Sequence, residues 1–62
     1  MRVFVNVETG EDCVAAASDT YGAVVLIRLV NSVDKKAYIC AEEGRAFAPF
    51  GVKRSYSELP AI

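Results

Sequence analysis

Apolar and polar positions alternate along much of this chain, and the period is that of strands. Over residues 2–8, "RVFVNVE", Val3, Val5 and Val7 fall on one face, Arg2, Asn6 and Glu8 on the other, and Phe4 breaks the alternation. Alternating β-branched residues predict a half-buried strand. Thr9 and Gly10 follow as a turn signal, since glycine takes the positive φ that tight hairpins require. Residues 13–18, "CVAAAS", carry three alanines that raise helix propensity, but cover only about one and a half helical turns without an amphipathic repeat. A second strand paired with the first is the better reading, and a short helix is the alternative.

Residues 18–22, "SDTYG", read as a break. After it, "AVVLIRLVNSV" at 23–33 contains five Val or Ile residues and predicts a long strand. Its two faces are both apolar: Val25, Ile27 and Leu29 point one way, while Val24, Leu26 and Val30 point the other, interrupted only by Arg28. Antiparallel sheets with one solvated face alternate apolar and polar, so a strand that breaks this rule needs cover on both sides. Either the C-terminal segment supplies the second cover or another molecule does.

Residues 34–36 mark a polar turn, and "AYICAEEGRAFAPF", 37–50, then reads as a hairpin around Glu42, Glu43 and Gly44. Two turn-tolerant residues before a glycine fit a type I turn closed by a left-handed glycine. Pro49 ends the second strand or puts it at an edge, because proline cannot donate to the ladder. In the tail, "SYSE" at 55–58 matches a Ser-x-x-Glu capping box, and Pro60 follows at once. The expectation is one helical turn that lays Tyr56 and Leu59 on the open end of the sheet. The fold class is therefore all-β: a small antiparallel bent sheet or SH3-like barrel of about five strands with a short C-terminal helical turn, in one domain spanning 1–62. The barrel analogy concerns layout alone.

Composition changes this picture in one respect. A 62-residue chain that is 53% hydrophobic will fold, yet a domain of this size buries only about 60% of its unfolded surface and is marginal without help. The usual aids are metals, several disulfides or a partner. With no His and only Cys13 and Cys40, a four-ligand Cys/His zinc site cannot be built from one chain. Two cysteines without a secretory signal fit reduced thiols in the cytoplasm, and no apolar run approaches the length of a membrane span. Association remains as the aid.

Candidate chemistry is sparse. Without His the usual general base is missing, so an enzyme is not expected, and the dispersed glycines form no phosphate cradle. Cys40 could be activated by Arg45 or Lys36 across the hairpin, but a packed thiol is the ordinary role of such a residue. Glu8, Glu11, Asp12 and Asp19 could gather a hard cation, although their spacing matches no calcium loop. No cofactor or metal is expected.

Two surfaces stay in play. The first is a protein contact, with itself or with another protein, through Val24, Leu26, Arg28 and Val30, as a homo-oligomer or as a small regulator or inhibitor. The second is a nucleic-acid contact through the basic and aromatic last third, using Arg45, Lys53, Arg54 and Tyr56. A net charge of -1 ranks it below the first.

Overall fold

The computed structural model describes residues 2–42 and 44–60, with the side chain of Glu42 left aside. Six strands follow one another: β1 (Val3–Asn6), β2 (Asp12–Tyr21), β3 (Val24–Val30), β4 (Ala37–Glu42), β5 (Arg45–Phe47) and β6 (Ser55–Glu58). Each pairs antiparallel with the next, and β6 pairs with β1, so the sheet closes into a barrel with sequential strand order. The small antiparallel barrel is thus what the chain forms. None of its described residues is helical, and no helix is long and apolar enough to cross a membrane.

The interior is filled by side chains from every strand: Phe4, Cys13, Ile27, Leu29, Tyr38, Ala46 and Tyr56 are all buried. Large and small residues face each other in register, Phe4 against Cys13 and Ala46 against Tyr56, which fits bulky rings into a narrow barrel. On β1 the interior face is the one that carries Phe4 and Asn6, while Val3 and Val5 are half-buried on the outside. The most regular apolar alternation in the chain therefore marks an outer face, because a ring fills the barrel axis better than a valine. Buried Asn6 closes the β1–β2 turn: its Oδ1 accepts the amides of Glu8 at 2.9 Å and Thr9 at 3.2 Å.

Three expectations are corrected. The tail makes no helical turn: residues 55–58 are β6, with Val5 opposite Ser57 on one side and Ala46 opposite Tyr56 on the other. A capping box stabilises a helix start by about 1 kcal/mol, whereas β6 gains two ladders and buries Tyr56 completely. The strand count rises to six for the same reason. The break at 18–22 shrinks to Gly22 and Ala23, and β2 runs through Ser18, Asp19 and Thr20 to Tyr21.

Gly22 has φ +62 and Tyr21 pairs with Val24, so the two-residue connection suits a type II′ turn with glycine first. Gly44 also has the expected positive φ, +75, while Glu43 of that turn lies outside the described residues. A register shift between Ala15 and Ala17 leaves Ala16 as an extra residue, a bulge of the kind that bends and twists a strand locally. β5 ends at Phe47, before Pro49.

Candidate interaction surface

Strand β3 divides as its sequence predicts. Ile27 and Leu29 enter the core and Val25 packs against it. Val24 and Leu26 are half-buried on the outer wall, where Arg28 and Val30 are exposed, Val30 at 45%. Strand β6 does not supply the second cover, because it lies between β1 and β5 while β3 lies between β2 and β4.

Register extends this outer face sideways. Leu26 is opposite Ile39, and Ile39 is opposite Phe47, so three apolar residues line up across β3, β4 and β5. Arg45 borders this row, its guanidinium 5.6 Å from the Phe47 ring centroid in a cation–π contact. On the other side Tyr21, 80% exposed, stands opposite Val24. A second row, Val3, Val14 and Val30, crosses β1, β2 and β3. Ile39, Phe47 and Tyr21 were not singled out for this face; their signal is parity, visible only once the strands are in register.

The basic and aromatic set is not brought together. Tyr56 is wholly buried, its ring edge-on to Tyr38 at 4.9 Å, and offers no face to a base. Arg45 lies on the wall beside Phe47, whereas Lys53 and Arg54 belong to the β5–β6 connection. There they border an open cleft of about 540 Å³ with Glu8, Asp34, Lys36, Gly51 and Val52. Phe50 is fully exposed in the same connection, at a tight turn closed by the Val52 amide donating to the Pro49 carbonyl at 3.2 Å.

Asp34 is the electrostatic anchor of the cleft. Its Oδ1 accepts the Tyr38 hydroxyl at 2.6 Å and the Lys36 amide at 3.3 Å, and its Oδ2 faces Arg54 Nε at 3.6 Å. Burial opposes ionisation of this carboxyl, but those donors and the Arg54 charge outweigh it and hold its pKa below the usual aspartate value. At the other end of the barrel, Arg2 makes a two-pronged pair with Glu58, at 2.6 and 3.4 Å. Arg2 also donates from Nη2 to Cys40 Sγ at 3.6 Å, which puts a cation beside this thiol from β1's side of the barrel.

Of the four acidic residues of the first third, Glu8 and Glu11 lie in the β1–β2 connection beside Asp12, and Asp19 lies apart from them. Asp12 and Asp19 are at opposite ends of β2, about 23 Å apart at strand rise. Among the described residues no group of three or more Cys, Asp or Glu is placed to hold a metal ion. No protein-family model, curated protein or solved structure matches this chain.

Proposed function

We propose that this chain is a non-enzymatic β-barrel module that acts in the cytoplasm by protein contact, as a homo-oligomer or as a small regulator or inhibitor docking on a larger protein. The observation that carries this reading is the row of Leu26, Ile39 and Phe47 on the outside of a barrel whose inside is already filled. Val24 and Tyr21 lengthen the row, and Arg28 and Arg45 give it charged margins that orient a partner. Full burial of a Val or Leu side chain contributes about 1.5 to 3 kcal/mol, so a few such residues supply a meaningful part of a contact. The test is quantitative capture of host proteins on wild-type protein and on Leu26→Glu, with Val33→Glu, at an exposed valine of the β3–β4 connection, as a control outside the row. Selective loss with Leu26→Glu supports the reading, and equal capture by all three contradicts it.

A second reading rests on Phe50. A fully exposed ring beside Lys53 and a cleft lined by Lys36 and Arg54 suits stacking of a nucleic-acid base with phosphates held nearby. Phe50 takes the place given to Tyr56 in the sequence reading. Binding of single-stranded RNA or DNA that weakens steeply with salt and is lost in Phe50→Ala would favour it.

A further inference from the structure

Among the described residues, the closed barrel leaves an edge of β2 open. Among these residues β1 pairs with β2 from Asp12 to Val14, and the bond between them furthest along β2 runs from the Ala15 amide to the Arg2 carbonyl at 2.9 Å. From Ala16 to Tyr21, β2 has β3 on one side and no described strand on the other. Natural edges are usually blunted by proline, lysine or a covering loop. This one holds neither proline nor lysine, its residues are all exposed, and Asp19 is its single charge.

The hairpin geometry says which groups face outwards. In a two-residue turn the closing pair, Tyr21 and Val24, exchanges hydrogen bonds, and bonded and non-bonded pairs then alternate along the ladder. Asp19 therefore bonds towards Leu26, while the N–H and C=O of Ser18 and Thr20 point to the open side. We propose that this edge pairs with the same edge of a second copy, antiparallel, about a two-fold axis at Ser18. The inference rests on the protein-contact reading and names its occupant and its geometry.

Three features single out this register. Ser18 meets the partner's Ser18 as a bonded pair, each donating its amide to the other's carbonyl, and the outward amide of Thr20 falls opposite the partner's Ala16. Asp19 falls opposite the partner's Ala17, whose own neighbour across the ladder, on the same outer face, is the partner's Arg28. Two strand spacings, about 10 Å, separate the Asp19 and Arg28 backbones, and the two side chains span this over the alanine methyl. Within one chain neither Asp19 nor Arg28 makes an ion pair with a described residue. The axis stands perpendicular to the sheet, so the Leu26 rows of both copies lie on the same side of one continuous surface, and dimerisation doubles the proposed contact face.

Cross-linking through one introduced cysteine tests the register, with the wild type, which carries only Cys13 and Cys40, as the blank. In a bonded pair the Ser18 α-carbons are about 5.5 Å apart, within disulfide range. The Thr20 α-carbons of the two copies are about 14 Å apart, outside it. Oxidation at micromolar concentration is expected to convert Ser18→Cys to a covalent dimer and leave Thr20→Cys monomeric on denaturing gels. Sedimentation should show a wild-type dimer that Asp19→Arg weakens at least tenfold and Asp19→Arg with Arg28→Asp restores. A wild-type monomer at every concentration, or equal cross-linking at both positions, overturns the proposal. Failure here while Leu26→Glu still abolishes host capture removes only the edge pairing; cross-linking at Ser18 alongside unaffected capture removes only the outer-face reading.

Discussion

Tyr38 and Tyr56 meet edge to face inside the barrel, 4.9 Å between centroids and 81° between planes, yet only one of the two hydroxyls is satisfied. Tyr38 donates to Asp34 at 2.6 Å, while the buried Tyr56 hydroxyl has no hydrogen-bond partner among the described residues. The pair is equivalent as packing and unequal as chemistry.

Removing the two hydroxyls should therefore have opposite consequences. Tyr38→Phe takes a charge-assisted bond from a carboxylate that is largely out of water, at a cost of about 1.5 to 3 kcal/mol. Tyr56→Phe removes a buried hydroxyl that approaches the Cys13 thiol and the Tyr38 hydroxyl without a well-formed bond to either, and is expected to be neutral or mildly stabilising. Urea unfolding of both variants checks this. A larger loss from Tyr56→Phe than from Tyr38→Phe would contradict the assignment of partners.

The same groups set the pH dependence. Asp34 and Glu58 have folded pKa values below their ordinary 3.8 and 4.5, Glu58 because of the Arg2 pair. A depressed folded pKa adds stability that is present above the unfolded value and lost as pH falls through the folded one. Burial pushes the Cys13 thiol above its ordinary 9.0, and burial with the bond to Asp34 pushes Tyr38 above 10.0. Raised values act the other way: stability is complete below the unfolded pKa and declines as pH rises past it. The urea midpoint should be level between about pH 5 and 8 and fall on both sides. Tyr38→Phe should soften the alkaline fall.

Neighbouring residues on β3 should differ sharply. Ile27→Ala empties a core position and should cost about 2 to 5 kcal/mol, whereas Leu26→Ala on the outer wall should cost less than about 1 kcal/mol. Thermal melts of the two variants read this parity directly. Comparable losses would mean that both faces of β3 are covered within the monomer.

Gly22 offers a test of the long hairpin. Its φ of +62 disfavours an L side chain although nothing lies within 4 Å of an added Cβ, so Gly22→Ala should cost about 1 kcal/mol through the backbone alone. A chain of 62 residues is within reach of chemical synthesis, and D-alanine at the same position should be neutral or stabilising.

The sequence made the two faces of β3, the β4–β5 hairpin and the end of β5 before Pro49 legible, because each is written in local alternation or in turn chemistry. The role of "SYSE" was not. Its serines and glutamate satisfy a capping rule, and only its partners β1 and β5 make Tyr56 the inward residue of a strand. Phe4 was misleading for a similar reason: alternation reports that a strand has two faces, and the neighbouring strands decide which is inside. The outer row was half legible, since Leu26 stood out alone and Ile39 and Phe47 joined it through register.

Everything proposed for the outer wall depends on the tail closing the barrel and so leaving β3 uncovered by its own chain. Amide hydrogen exchange at Glu58 and Leu59 tests this most directly, because Glu58 donates to Gly44 at 2.6 Å and Leu59 to Val3 at 2.8 Å, one bond to each side of β6. Both amides are expected to exchange slowly, with protection close to that of the β3 core amides of Ile27 and Leu29. Exchange of both at unfolded-chain rates would mean that residues 55–58 do not close the sheet, and the account of β3 would fall with it.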